Sequence, residues 1–321
     1  MIESKGGIWT TERVPAMLKR LNALEVVLAL LAFSPVMCSQ TGPQQLGAVK
    51  GQEAAPAAPV PSDLDGWGRP ITGLEKGRKS ASAPRHDISG IWEPEPAHDP
   101  IRVLGVLGAS AMPEDGKPEH QPPYTPLAQE ALSHTKPSSG TRSVLPAETN
   151  DPVFSCEPQG MPREDLYEFR TTQILQTPVS LVMLYQFNRV WRVVWTDGRE
   201  FPKDPDPRWY GYSVGKWEDD YTFVAQTSGT DERTWLDRAG RPHSGDLRVE
   251  ERFHRVNHDH LELTVTIDDP KMYTKPWIAV NKLSFDLQPP NFDIREMICS
   301  PAENAEYNKL IGNGTSDKNS K

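Results

Sequence analysis

The connection from Thr234 to Asp246 carries the side chains best suited to chemistry. It places an aromatic ring, a carboxylate, an imidazole and a hydroxyl within ten positions, on Trp235, Asp237, His243 and Ser244. An Asp–His pair can perform general acid–base catalysis near neutral pH, because the carboxylate holds the imidazole in one tautomer. We therefore predict Asp237, His243 and Ser244 as candidate catalytic residues. The alternative is structural: Asp237 caps a turn and Ser244 begins the next strand.

A second candidate is the segment Leu247–Val256, in which both alternating faces carry charge. If Glu251 and Arg255 face inward they are buried, and buried charges persist only when they are paired or contact a ligand. Otherwise the segment forms an outward ladder of cross-strand ion pairs. On the first interpretation Arg163, Glu251 and Arg252 anchor the polar group of a ligand.

Aromatic residues supply the apolar part of this predicted site, since 18 of the 26 lie between Tyr167 and Phe285. Trp191 and Trp195 are four residues apart in one predicted strand and share a face. Facing inward they line a pocket, and facing outward they form a patch for a membrane or partner. Simple core packing is the third possibility. The predicted ligand-binding aromatics are Trp191, Trp195, Trp209, Tyr210, Trp235 and Tyr273.

Neither a metal site nor a cofactor is predicted. His254, His258 and His260 have a spacing from which zinc draws ligands, but His258 and His260 flank a predicted hairpin turn, where side chains point apart. Gly-x-Ser-x-Gly occurs at Gly211-Tyr212-Ser213-Val214-Gly215, but it lies inside the predicted strand Tyr210–Glu218 and not at a strand-to-helix turn, so a standard serine hydrolase is not expected. The formal net charge is −9, and no dense basic block occurs, so no nucleic-acid partner is expected.

The beginning of the chain is typical of an export signal. Lys19 and Arg20 precede an apolar run that ends at Phe33 and is far shorter than a membrane-spanning helix. We predict a signal at residues 1–39, a Pro/Ala-rich disordered linker at 40–85, a barrel domain at 86–310 and a disordered tail at 311–321. The protein is then periplasmic or extracellular, and Cys38 is a candidate for a lipid anchor.

Two cysteines remain beyond Cys38, and an even pair in an oxidising compartment favours a disulfide. Cys156 and Cys299 would join the segment before the strands to the last predicted strand. The two cysteines are 143 positions apart. On the chain-entropy model, closing a loop of that length contributes about 4–5 kcal/mol to the free energy of unfolding. Two unpaired thiols are the alternative.

The elements that must position these residues are short strands. Of the 31 prolines, 21 lie at or before Pro162, so regular structure is expected mainly after it. Thr125 and Pro126 begin one predicted helix, and a short helix is expected near the C-terminus. Alternating segments separated by turn residues predict ten strands: Ile88–Trp92, Phe169–Gln176, Ser180–Phe187, Val190–Thr196, Tyr210–Glu218, Tyr221–Thr227, Leu247–Val256, Leu261–Ile267, Trp277–Leu287 and Phe292–Cys299.

These strands predict an all-β fold, an antiparallel up-and-down barrel of about ten strands, because closure removes exposed edges. No helical pattern separates the strands, so parallel crossovers are not expected. Gly90-x-Trp92 resembles the Gly-x-Trp that opens lipocalins, a calycin family, in which a basic residue from the last strand covers the indole. That residue would be Arg295. A β-sandwich is the alternative.

A wider resemblance covers Asp87 to about Tyr307. The segments that carry it include Cys156-Glu157-Pro158-Gln159-Gly160-Met161-Pro162-Arg163, Trp209-Tyr210-Gly211-Tyr212-Ser213-Val214-Gly215-Lys216-Trp217-Glu218, Thr234-Trp235-Leu236-Asp237, Pro242-His243-Ser244 and Tyr273-Thr274-Lys275-Pro276-Trp277. In these segments the chain is similar to a family of uncharacterised exported bacterial proteins of acidobacteria and proteobacteria. The resemblance implies export but no activity.

Three functions therefore stay open. The first is an exported barrel that binds a small, largely apolar ligand. The second is a hydrolase, lyase or isomerase with an Asp–His pair at the barrel mouth. The third is a cell-envelope interaction protein with a filled barrel. An enclosed cavity of roughly 300 Å³ or more would favour the first.

Overall fold

The structure, a computed structural model, describes residues 79–94, 113–166 and 169–312. The predicted signal 1–39 with Cys38, most of the predicted linker 40–85 and most of the predicted tail 311–321 lie outside the described residues. Among the residues it does describe, no helix has the length and apolar character needed to cross a bilayer.

Nine of the ten predicted strands are present and close into a single barrel in chain order. The tenth is wrong, because Phe292–Cys299 forms only an isolated bridge between Phe187 and Met297. The β-sandwich alternative is not observed. The strands are β1 Gly90–Pro94, β2 Thr172–Gln176, β3 Ser180–Tyr185, β4 Trp191–Trp195, β5 Tyr212–Trp217, β6 Thr222–Ser228, β7 Arg248–Arg255, β8 His260–Asp268 and β9 Trp277–Leu287.

The barrel contains one parallel pair, which corrects the expectation of a wholly antiparallel sheet. β4 and β5 run parallel, with Val194 opposite Ser213 and Trp195 opposite Val214. A closed ring with an odd number of strands cannot alternate in direction at every step, so nine strands require such a pair. The connection 196–211 returns from one end of the barrel to the other without a helix.

Three short helices occur among the described residues. The predicted helix start is confirmed, because the Thr125 hydroxyl accepts a hydrogen bond from the Ala128 amide and Pro126 is the first helical residue. The expected C-terminal helix is also present. The helices are α1 Pro126–His134, α2 Arg163–Leu166 and α3 Pro301–Tyr307, with 3-10 turns at Pro118–His120 and Pro152–Ser155 and a π turn at Asn308–Gly312.

The predicted disulfide is present between Cys156 and Cys299, with an S–S distance of 2.07 Å. It joins the 3-10 turn before α2 to the segment before α3. Nearby, the Cys299 amide donates to the Asn188 side chain at 2.6 Å, so the bond also lies close to the β3–β4 turn.

The lower half of the barrel, where β1 begins and β9 ends, has an apolar interior built around Trp92. Trp92 is 1% exposed, and its indole N–H donates to the Ile88 carbonyl at 3.0 Å. A basic residue does cover the indole, but it is Arg255 of β7, 4.8 Å from the ring centroid. The prediction that Arg295 covers this indole is wrong, since Arg295 follows β9 in a segment that forms no strand.

Candidate functional site

The predicted catalytic residues are buried at the upper end of the barrel, where the β6–β7 and β8–β9 connections lie, but they do not form one constellation. Asp237 pairs with Arg241, which follows it by four residues. His243 Nε2 contacts the Thr234 hydroxyl at 2.7 Å, and its Nδ1 contacts the Ser244 carbonyl at 3.1 Å. Within the described part of the chain, Asp237 and His243 therefore make no hydrogen bond with each other.

Ser244 is committed to a third partner. Its hydroxyl donates to Asp269 Oδ1 at 2.8 Å, and its amide donates to Asp269 Oδ2 at 2.6 Å. The serine oxygen thus has a carboxylate partner in place of an imidazole that would take its proton. Burial lowers the pKa of His243, so the ring is neutral at physiological pH. Asp237 caps a turn, because its Oδ1 accepts from the amides of Ala239 and Arg241, but Ser244 does not begin the next strand, since β7 starts at Arg248.

The inward face of β7 is the one that contains Glu251, as one of the two sequence interpretations proposed. Glu251 is fully buried and receives two hydrogen bonds from Arg192 of β4, at 2.9 and 2.5 Å. Arg192 also donates to Ser213 and Thr227, at 3.0 and 2.8 Å. Burial opposes the charge of Arg192, but the negative charge of Glu251 raises its pKa. The buried Glu251 is therefore paired within the protein.

Residues 159–166, which we call the plug, fill the upper half of the barrel, and all eight are buried. Gly160 makes the close approach possible, because its φ is +73° and a Cβ there would lie 2.6 Å from the Trp209 carbonyl oxygen. The Met161 amide donates to that carbonyl at 2.9 Å. Met161 also reaches Arg192, with 3.7 Å between its sulfur and Nη1. The plug thus enters the space that a lumenal ligand would need.

The plug brings two further carboxyl groups into the barrel. Burial raises the pKa of Glu164 to about 8, and the Tyr210 hydroxyl is its hydrogen-bond partner. Burial also raises the pKa of Asp165 well above its ordinary value, and the negative charge of Glu251 adds to this effect. Two neighbouring carboxylates repel each other, so the charged form of Asp165 is disfavoured beside Glu251. With a pKa of about 8, Glu164 therefore holds its proton at neutral pH.

A pH dependence of stability follows from these raised pKa values. The folded protein keeps protons that the unfolded chain releases near pH 4.5, so unfolding free energy should fall as pH rises from about 4.5 to about 8. Each pH unit in this window costs about 1.4 kcal/mol for Glu164 alone. Glu164→Gln should flatten this slope in urea unfolding at pH 5, 6.5 and 8. Equal slopes for Glu164→Gln, the wild type and the outer-face control Glu250→Gln would contradict the assignment.

The space left inside the lower half of the barrel is very small. It measures about 10 Å³, less than one water molecule requires. This volume is far below the roughly 300 Å³ that a small-ligand pocket needs. Its walls are Trp92, Phe169, Thr172, Ile174, Met183, Phe253, Leu261 and Phe285. In the described residues, the barrel interior is packed and holds no ligand-sized space.

Three of the predicted ligand-binding residues lie outside the barrel. Arg252 faces solvent and pairs with Glu218 and Glu250. Trp191 is 65% exposed, and the half-buried Trp195 is covered by Arg199, 3.6 Å from its ring centroid. The tryptophans thus take the outward alternative, and Arg192 between them points inward.

The two tryptophans belong to an outer apolar face on β2, β3 and β4. Leu175 pairs with Val182, which pairs with Val193, and Leu184 pairs with Trp191. A groove on the outer face of β6 to β9 is lined in contrast by polar side chains: Thr222, Arg252, His254, Glu262, Thr264 and Lys282. An exposed apolar patch of this kind is typical of a contact surface. It supports the envelope-interaction alternative, which stays a prediction.

The other predicted ligand-binding residues lie at or near the upper end. Arg163 forms a buried pair with Asp151 at 2.6 Å, and its guanidinium lies 5.6 Å from the Trp235 ring centroid. Tyr273 donates to the Pro242 carbonyl at 2.7 Å, and its ring lies 5.7 Å from that of Tyr124. Tyr210 lies beside Glu164, which belongs to the plug. The ring centroid of Trp209 lies 4.3 Å from the guanidinium carbon of Arg233.

A cavity of about 50 Å³ lies at the upper end, between the β6–β7 connection and residues 114–142, and we call it the mouth cavity. Backbone hydrogen bonds hold its outer segment in place, since the Thr125 amide donates to Met272 and the Thr274 amide to Pro123. The walls comprise Glu114, Gly116, Gln121, Tyr124, Leu132, Ser139, Gly140, Thr141, Arg142, Ala239 and Arg241. Of the predicted site, only the connection carrying Asp237 contributes to this cavity.

Sequence reasoning missed the residues that matter most in these two places, namely Arg192, Glu164 and Asp165 inside the barrel and Tyr124 and Arg142 at its mouth. One signal was available for Arg192. An arginine between two tryptophans in an alternating strand must face inward if the tryptophans face outward. No comparable signal existed for Arg142, which lies in an irregular proline-rich tract.

No group of His, Cys, Asp or Glu among the described residues is arranged to hold a metal ion. His254 contacts Thr222 at 3.0 Å, His258 contacts Asp259 at 2.7 Å and His260 pairs with Asp286 at 2.8 Å. The three histidines therefore have separate partners.

Comparisons with protein-family models, with curated proteins and with solved structures found no match to this chain.

Proposed function

We propose that this protein binds a small molecule at the mouth of its barrel and that the filled barrel serves as a rigid support. The observation that carries this proposal is the 50 Å³ mouth cavity, which contrasts with about 10 Å³ inside the lower barrel. The cavity volume corresponds to about four water molecules. It therefore accepts a small molecule or one end of a larger one.

The cavity has the mixed lining that ligand sites have. Leu132, Ala239 and the Tyr124 ring supply apolar surface, and the hydroxyls of Ser139 and Thr141 supply polar groups. Loops held on a rigid scaffold commonly carry binding sites. The proposal keeps the predicted small-molecule ligand but moves it from the lumen to the mouth.

Catalysis by Asp237 and His243 has less support than binding, because each side chain is engaged with another partner. Export to the periplasm or the cell exterior remains part of the proposal. It is supported by the Cys156–Cys299 disulfide, since structural disulfides persist in oxidising compartments.

The test is native mass spectrometry of the full-length protein purified from its own host. We expect a small molecule to be retained by the wild type and lost from Ala239→Leu, which fills the mouth cavity. Ala305→Leu on the exposed face of α3 is the matched control and should retain it. A molecule retained equally by wild type and Ala239→Leu, or no retained molecule at all, would reject binding at the mouth.

A further inference from the structure

We infer that the plug is a pH-sensitive switch, which stays inside the barrel while Glu164 and Asp165 hold protons and moves out as a unit when they ionise. The basis is the surroundings of the two carboxyl groups and the way in which the plug is attached to the barrel. The inference goes beyond the proposed function, because it concerns the barrel interior and does not depend on the mouth cavity.

The position of Asp165 suits a carboxylic acid and not a carboxylate. The residue is fully buried, and neither of its side-chain oxygens has a hydrogen-bond partner among the described residues. Burying an unpaired charge costs far more than burying an unpaired neutral group. Asp165 therefore keeps its proton for as long as the plug stays in the barrel.

The cation that faces Asp165 has no donor left for it. All five N–H groups of Arg192 already donate to oxygens of the barrel wall. The acceptors are the side chains of Ser213, Tyr185, Thr227 and Glu251, the last of which receives two bonds. The titratable and charged groups around Asp165 are Tyr185 of β3, Arg192 of β4, Glu251 of β7 and the neighbouring Glu164. The guanidinium is thus committed to Glu251, and ionised Asp165 would add a second carboxylate beside it.

Glu164 meets a similar obstacle one position earlier. It is buried, the Tyr210 hydroxyl is its hydrogen-bond partner, and its Oε2 has no partner among the described residues. The cations that face it are Arg170 and Arg163, of which Arg163 pairs with Asp151. Burial outweighs both cations and raises the pKa of Glu164 to about 8.

The plug is attached in a way that lets it move without disrupting the sheet. The amides of Glu164, Asp165 and Leu166 donate to carbonyls within the plug, whereas the Met161 amide donates to the Trp209 carbonyl outside it. None of the residues 159–166 belongs to a strand, so the departure of the plug leaves every ladder between strands intact.

The chain is fixed on both sides of the plug. Cys156, which precedes it, is bonded to Cys299, and β2 begins at Thr172, which follows it. These two attachments limit how far the plug moves. They also keep it beside the barrel, so that it returns when the carboxyls regain their protons.

The direction of the pH effect follows from the two states of Glu164. Its pKa is about 8 inside the barrel and returns to the ordinary 4.5 when the plug enters water. Between these values the open state releases a proton that the closed state keeps, so each rise of one pH unit favours opening about tenfold. Asp165 acts in the same direction, because burial raises its pKa as well. Above pH 8 Glu164 is ionised in both states and adds no further effect.

The test is hydrogen exchange of the full-length protein, measured by mass spectrometry at pH 6, 7 and 8 with labelling times scaled to the intrinsic exchange rate. We expect the opening constant of the plug amides to rise about tenfold or more per pH unit. The plug should also exchange faster than β7 and β8 at every pH. The inference fails if the opening constant of the plug is the same at pH 6 and 8. It also fails if the plug and the two strands open equally, because the plug then leaves only on global unfolding.

The double variant Glu164→Gln/Asp165→Asn assigns the effect to these carboxyls. It removes both ionisable groups at nearly constant size, so the opening constant of its plug should not change between pH 6 and 8. Glu250→Gln on the outer face of β7 is the control and should respond to pH as the wild type does. If circular dichroism shows the double variant to be unfolded, Glu164→Gln takes its place and should lose about tenfold of the response per pH unit. A response equal to that of the wild type in either variant would contradict the switch.

Discussion

Replacing Arg192 by methionine should lower the free energy of unfolding by about 3–5 kcal/mol, the cost of removing one partner of a buried ion pair. Arg192 is 3% exposed and donates two hydrogen bonds to the fully buried Glu251. Without the guanidinium, Glu251 faces Asp165 with no cation to offset its charge. Urea unfolding at pH 7, followed by circular dichroism, measures the loss.

The double variant Arg192→Met/Glu251→Met separates the energy of the ion pair from the contribution of its surroundings. Because it removes both charges, we expect its loss of stability to be clearly smaller than the sum of the two single losses. The matched control is Arg252→Met, which follows Glu251 in β7 and lies on the outer face. It should change the free energy of unfolding by less than about 1 kcal/mol. A loss below about 1 kcal/mol for Arg192→Met would show that the carboxyls adapt by taking up a proton.

The strands could be predicted because each is a short-range pattern. Alternation and turn residues lie within about ten positions, and Trp277–Leu287 was located at both ends. Closure into a barrel also followed, since it is the simplest way to remove the edges of many short strands. The parallel seam did not follow, because it depends on whether the ring holds nine or ten strands. The expected number was ten because Phe292–Cys299 was counted as a strand, and without that segment the ring has nine strands.

The site was harder to predict because its contacts join distant parts of the chain. Asp237 and His243 are six positions apart, yet each has found another partner, Arg241 and Thr234. Proximity in sequence placed them on one connection but did not determine where the side chains point. In the same way, the plug places Asp165 near Glu251 inside the barrel, and no local pattern carries that information. A candidate site built from one loop therefore needed the partners that only the fold supplies.

Removing the disulfide should have the second large effect, because it closes a loop of 143 residues. On the chain-entropy model, the double variant Cys156→Ser/Cys299→Ser should lose about 4–5 kcal/mol of stability through the greater freedom of its unfolded chain. The lost stability should appear equally in wild type treated with a reductant. Urea unfolding with and without dithiothreitol makes this comparison directly.

The position of the bond predicts where its loss is felt first. Cys156 lies three residues before Gln159, where the plug begins, and Cys299 lies beside the β3–β4 turn. Backbone amides of the plug should therefore exchange hydrogen faster in the double variant than those of β7 and β8, which are held by long ladders on both sides. The single variant Cys156→Ser should match the double variant, since either change opens the loop. Uniform acceleration over the whole barrel would mean that the bond acts only by restricting the unfolded chain and does not hold the plug in place.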